Sequence, residues 1–400
     1  MQLEVIGVGG AGCRIADAIH AREPDEGGFV GTAYAFDTDS DAVTALSSIP
    51  VAHRHRYGQT VAGGLEGNLQ QGFAVGEDHV DELSRQLDEG TPAVADAFLV
   101  CLGLGGATGG GTVPALVSNL KTLYDEPVYV LATLPAKREL EPGSNSQRDR
   151  ERAGDPRANA SEGATSGGDG EDARPMAEQN AVRTLERLEG IADAVVCFDN
   201  DEWLRGEEPL REARDRLNEE LVARVSALFS AMGDERDGGA AETVVDANDL
   251  HRILGARTEI ATIGYGRQQV DTGSDSLLGL GLFSSSDEVE TTEAISAIET
   301  TINKALHGKL TLECERASAS RALLLVGGPP AWLNRRAIAD GRSVLESTTQ
   351  STEILSGDAP RPDSDQVFAT VLLAGLDPAG RLETLREETR PLETDRYSTD

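Results

Sequence analysis

The chain has 400 residues, a net charge of -33 and 69 Asp and Glu against 36 Lys and Arg. Its length exceeds one ordinary core and predicts two domains, and its charge lacks the basic footprint that nucleic acid demands. No apolar run approaches a membrane span and no signal peptide is present, so a cytoplasmic protein with no membrane insertion is expected. From the amino end, strand patterns at Gln2–Ile6, Ala33–Phe36, Ala97–Leu102, Val128–Leu134 and Ala192–Phe198 alternate with helical ones. The helical patterns cover Ala11–Ala21, Asp78–Asp88, Thr112–Leu123 and Ala177–Leu188. That alternation predicts a parallel sheet with helices on both faces.

A long amphipathic helix follows from about Pro209 to Ala231, with Leu217, Leu221, Val222, Val225, Leu228 and Phe229 on one side. Beyond it the pattern predicts a smaller α/β portion. Its strands fall near Glu259–Gly264, Ala322–Val326 and Phe368–Ala374, and its helices near Thr292–Leu306 and Asn334–Ser347. The last fifteen or so residues read as an exposed end. Glu141–Arg174 contains no Val, Ile, Leu, Phe, Met, Tyr or Trp and predicts a disordered insertion. It interrupts a loop after a core strand, where ligands bind in this fold class.

Basic residues are almost all arginine, with lysine only at 121, 137, 304 and 309. An acidic, lysine-poor chain of this kind fits a salt-rich cytoplasm, where screening relieves self-repulsion. Cys13, Cys101, Cys197 and Cys314 show no CxxC spacing and read as packing residues. His53 and His55 alternate with Arg54 and Arg56 and read as a solvated loop.

Two glycine-rich loops carry the chemistry. Gly7-Val-Gly-Gly-Ala-Gly12 follows the first strand and Gly103–Thr112 follows the third, each opening a helix. Backbone N–H groups at helix N-termini bind phosphate, and glycine lets the chain approach closely. The first loop alone satisfies G-x-G-x-x-G, with Asp37 placed to hold a ribose, as in an NAD-binding oxidoreductase. That reading leaves the second loop, and the acidic run Val244-Val-Asp-Ala-Asn-Asp249, without a role.

Gly105-Gly-Ala-Thr-Gly-Gly-Gly111 resembles the signature loop of the tubulin/FtsZ superfamily, Gly7–Gly12 its first phosphate loop, and Asp37-Thr-Asp39 its Asn-Thr-Asp segment. Phe198–Trp203, Leu217–Leu221, Leu325–Trp332 and Gly357–Leu376 are similar to the archaeal CetZ branch. The resemblance implies an α/β fold: a Rossmann-like GTPase domain at 1–206, a central helix at 207–232, an activation domain at 241–385 and a tail at 386–400. It implies GTP contacts from Gly9, Gly10, Ala11, Gly12, Cys13, Arg14, Gly105, Gly106, Ala107, Thr108, Gly109, Gly110, Gly111, Asn200 and Asn218. Magnesium would enter with the nucleotide, and no residue is assigned as a metal ligand. Asp246 and Asp249 match the acidic positions that act on the GTP of the next subunit, where a carboxylate can orient an attacking water.

Four departures from the family pattern stand out. Ala107 replaces a signature glycine, Arg214 replaces an aromatic four residues before Asn218, and Asp37 replaces an asparagine. The insertion displaces an acidic ribose contact, for which Glu171 or Asp172 are candidates. The resemblance implies a GTP-hydrolysing cytoskeletal protein acting in cell shape. Its protofilaments would be built with itself or a paralogue, and its GTPase activated by self-association. The alternative is a divergent GTP-binding regulator that does not itself polymerise.

Overall fold

The computed structural model describes residues 1–23, 28–61, 64–88, 90, 92–139, 174–206, 208–232, 243–255, 258–272, 291–377 and 380–389. The insertion expected at Glu141–Arg174, apart from Arg174 itself, lies outside the described residues, as do Glu171 and Asp172.

The amino-terminal half winds β1 (Leu3–Val8), α1 (Gly9–Ala21), β2 (Val30–Asp37), α2 (Ser40–Thr44), β3 (Arg54–Arg56) and α3 (Leu69–Leu87). It continues through β4 (Ala97–Gly103), α4 (Ala107–Leu123), β5 (Val128–Leu134), α5 (Ala177–Leu188), β6 (Ala194–Asp199) and α6 (Asn200–Trp203). From β4 to β6 every strand residue except Gly103 is buried, as a parallel sheet covered on both faces requires. The carboxyl half adds α7 (Leu210–Phe229), α8 (Ala247–Leu254), β7 (Glu259–Gln269), α9 (Thr291–His307) and β8 (Arg321–Gly328). It ends with α10 (Arg335–Thr349), β9 (Glu353–Pro360), β10 (Gln366–Ala374) and α11 (Gly380–Thr389).

All ten strands join one sheet, ordered β3-β2-β1-β4-β5-β6-β7-β10-β8-β9. It is parallel from β3 to β7, with β10 antiparallel to both neighbours. The β6–β7 seam is only three residue pairs long. One apolar core lies between the sheet and α1, α7 and α8, a second under α3, α4, α5 and α11, and a third under α9 and α10. The six apolar residues expected on one side of the long helix are all buried. Arg224 is buried among them, its guanidinium 4.3 Å over the Trp203 ring and 2.8 Å from Glu220, so the charge on that face is paired and stacked. Among the described residues no helix is long and apolar enough to cross a membrane.

Several elements differ from expectation. The helix predicted at Asp78–Asp88 begins at Leu69, and its added turns carry Gly72 and Gly76, where α4 crosses α3. A methyl on Gly76 would stand 2.6 Å from the Thr112 Cα, and one on Gly72 would overlap the Ala107 carbonyl. The supposed solvated loop around His53 and His55 is the edge strand β3 and the turn before it. There His53 stacks on Tyr34 at 4.7 Å and His55 on Phe36 at 5.5 Å. Strand β9 and helix α11 have no counterpart in the sequence reading. Strand β9 carries Ser356, Gly357 and a terminal Pro360, weak strand formers tolerated at a sheet edge.

Candidate functional site

The strand order 3-2-1-4-5-6 places a topological switch point between β1 and β4, at whose carboxyl ends ligands bind in such sheets. Gly7 pairs with Cys101 and Val8 with Leu102, so the two glycine loops leave the sheet side by side. Gly9 has φ +72, and a methyl there would lie 2.7 Å from the Gly109 nitrogen. A side chain at residue 9 would therefore drive the loops apart. At the start of α4, Gly106 is the N-cap, leaving the amides of Ala107, Thr108 and Gly109 without intrahelical acceptors. Helix α1 presents Gly9, Gly10 and Ala11 in the same way. Two positive helix ends thus converge on one cleft.

The remaining signature residues serve packing. Gly110 donates its amide to the Gly106 carbonyl at 3.0 Å, and a methyl on it would lie 3.2 Å from the Leu104 carbonyl oxygen. Gly111 faces Gly72 of α3, while Gly12 lies against the Cys101 carbonyl of β4. Cys13 points away from the cleft, its thiol 3.4 Å from the Phe36 carbonyl, and burial pushes that thiol well above the usual range. Gly105 is fastened from α5, where buried Asn180 donates to the carbonyls of Gly67 and Gly105 at 3.0 and 3.2 Å. Ala107 is 5% exposed and packs into the core beneath α4, so its methyl points inward and leaves the cleft open.

The second strand closes the cleft. Thr38 and Thr108 share a hydrogen bond of 3.0 Å between their hydroxyls, a contact the sequence reading did not single out. Asp37 Oδ1 accepts from the Asp39 amide, and Asp39 caps α2 through Asp41. Burial pushes the Asp37 carboxyl up to about 6. Asn200 opens α6 and Asn218 lies in the third turn of α7. Both are half-buried, and neither side chain hydrogen-bonds among the described residues. The turn before Asn200 is clamped by Arg381 of α11, which reaches the Pro135 carbonyl and Glu178 at 3.2 Å and Asp199 at 3.6 Å. Burial pushes Asp199 up to about 6 despite that arginine. No local pattern marks Arg381 as part of this region.

Asp246 and Asp249 lie at the other end of the molecule. The amino terminus bonds the Met232 carbonyl at 2.7 Å, so α7 finishes where β1 begins, opposite the glycine loops. Arg361 Nη2 donates to the Ser230 carbonyl at 2.5 Å, and Asp358 exchanges backbone and side-chain bonds with Thr243. In α8, His251 sits 3.4 Å from the Tyr129 hydroxyl, near the amino end of β5. Asp246 is exposed and caps α8 by accepting from the Asp249 amide at 2.9 Å, while Asp249 lies 3.5 Å from Arg252. The 20 residues of α7 separate the carboxylates from the glycine loops by about 30 Å.

Residues 2–148 match the Tubulin/FtsZ family GTPase domain, and residues 207–391 match the Tubulin-like CetZ C-terminal domain. The tubulin-like protein CetZ5 of Haloferax volcanii is 33% identical, the alignment covering 99% of this chain and 93% of the relative. The GDP-bound monomer of CetZ1 from Haloferax volcanii superposes with a TM-score of 0.77 at 29% identity, covering 97% of this chain and 98% of that one. A GTPγS-bound protofilament of CetZ2 from the same organism gives 0.75 at 27% identity, covering 98% of each chain. The chain belongs to the CetZ family of tubulin-like proteins, within the tubulin/FtsZ superfamily.

Proposed function

We propose that this protein binds GTP in the cleft between α1 and α4 and hydrolyses it in head-to-tail filaments. Asp246 and Asp249 of one subunit would complete the site of the next. The observation that carries this reading is that the acidic loop lies at the end of the sheet opposite the glycine loops, with α7, about 30 Å long, spanning between the two ends. No carboxylate of that loop can reach a phosphate in its own subunit, whereas stacking brings opposite ends together. A contact of this heterologous kind generates open filaments, and the similar CetZ2 of Haloferax volcanii forms a GTPγS-bound protofilament.

The free amides of Gly9, Gly10, Ala11, Ala107, Thr108 and Gly109 would cradle the phosphates. Asn200 and Asn218, whose amide groups are unengaged among the described residues, would contact the nucleoside. Magnesium would offset phosphate charge during attack by water. The ion would enter with the nucleotide, whose phosphate oxygens suit it as ligands. The family, the acidic composition and the Haloferax relatives support a cytoskeletal role in cell shape in a salt-loving archaeon. The test is GTP turnover beside light scattering in molar potassium chloride. Turnover per subunit should rise with protein concentration and scattering should rise with GTP. Turnover independent of concentration would contradict the shared site.

A further inference from the structure

The short helix α6, which opens with Asn200, is gripped from the carboxyl half of the chain. Residues 309–311, between α9 and β8, reach it along its length. The Asp199 amide, at the turn into α6, donates to the Thr311 carbonyl at 2.8 Å, and Trp203 Nε1 donates to the Leu310 carbonyl at 3.1 Å. Lys309 Nζ donates to the Glu202 carbonyl and stands 5.0 Å from the Trp203 ring centroid. Thr311 is in turn bound into β7. Its amide donates to the Ile263 carbonyl and its hydroxyl accepts from the Ile263 amide, both at 3.0 Å.

Trp203 is the meeting point. It is buried, stacks on Phe198 with centroids 5.4 Å apart, and carries the Arg224 guanidinium at 4.3 Å as well as Lys309. Arg224 also stands 5.9 Å over Tyr265 of β7, while Arg216 of α7 donates to the Trp203 carbonyl at 3.2 Å. Filling the core does not require these charges. Arg224 leaves a buried Nε without an acceptor, a costly state for a charged donor, and an apolar side chain of similar size would avoid that cost. Lys309 is one of four lysines in a chain whose other strong bases are arginine, and it is exposed, so no core needs it. A helix of one turn has no stability of its own, so these contacts decide how Asn200 is presented.

We infer that Trp203 and Lys309 are positioning residues for the nucleoside. They fix α6, and with it the Asn200 amide, so that selectivity among bases depends on a contact made from the carboxyl half of the chain. The inference rests on the nucleotide reading above and deepens it by naming residues that act on specificity through Asn200. A side-chain amide carries both donors and an acceptor, and it tells one base from another only when held in register with the right one.

The experiment is competition binding of GTP and ATP to the full chain in molar potassium chloride. Wild type should prefer GTP. Lys309→Met keeps the apolar stem but removes the cation and its donor. It should weaken GTP about two- to fivefold, the worth of an exposed cation–ring contact, with ATP unchanged, so that the preference narrows. Lys309→Arg, which keeps a cation, should restore it. Trp203→Phe, which removes the bond to the Leu310 carbonyl, should narrow the preference as well. If Trp203→Phe does not fold, Lys309→Met, at an exposed position, carries the same test. Equal losses for GTP and ATP, or an unchanged preference in Lys309→Met, would overturn the positioning role and leave the nucleotide site standing. A wild type that binds ATP as tightly as GTP would overturn the nucleotide reading itself.

Discussion

Mixing two inactive variants tests the intersubunit site most directly. Asp249→Ala removes a carboxylate that lies about 30 Å from the glycine loops of its own subunit, by the length of α7. It should leave GTP binding intact and slow turnover by about 10²–10⁴-fold, the usual worth of a positioned acid–base group. Gly9→Ala damages the opposite end. Residue 9 has φ +72, and the added methyl lies 2.7 Å from the Gly109 nitrogen. Backbone strain there costs about 1–2 kcal/mol, within reach of an ordinary stability of about 5–15 kcal/mol. The variant should therefore fold but lose GTP. In an equal mixture, an intact cleft meets an intact acidic loop at about a quarter of junctions, so turnover should recover to about a quarter of wild type. The assay is phosphate release against mixing ratio, with melting curves confirming that each variant is folded. No recovery at any ratio, with Asp249→Ala still assembling on GTP, would refute catalysis across the interface.

Other consequences follow from packing and burial. Gly111→Ala forces a methyl against the backbone of Gly72 where α3 and α4 cross. It should destabilise the fold by about 1–3 kcal/mol through overpacking, read as a lower midpoint in chemical denaturation. Burial raises the carboxyls of Glu4 to about 7 and of Asp37 and Asp199 to about 6. The folded state then holds protons that the unfolded chain releases, so stability should fall as pH rises from about 4.5 to 7. Glu4→Gln should flatten the upper part of that window, and an unchanged slope in melting temperature against pH would contradict the assignment. Burial pushes the thiol of Cys197 up to about 12 and of Cys314 up to about 11, and Cys13 and Cys101 are buried too. A thiol reagent at pH 8 should find no fast-reacting cysteine in the native protein and all four after denaturation.

Periodicity and glycine placement made most of the fold legible. The strands of the amino-terminal sheet and the apolar face of α7 follow from residues that alternate or recur locally, so a window of ten to twenty residues contains the signal. What escaped is set by partners distant in sequence. The helical pattern at Asp78–Asp88 stopped short of Gly72 and Gly76, and the α4 backbone that needs their bareness lies more than thirty residues on. His53 and His55 looked solvated because Tyr34 and Phe36 cover them only once β3 has paired with β2. The site shows the same division. The two glycine loops and the acidic run were readable as motifs, since each is contiguous. Thr38 joined to Thr108, and Arg381 clamping the turn before Asn200, were not, because each spans two or three elements. Arg214 appeared in the sequence only as a departure from an aromatic. In the fold it is half-buried in the second turn of α7, one turn before Asn218, a placement that helical periodicity gives and a substitution by itself does not.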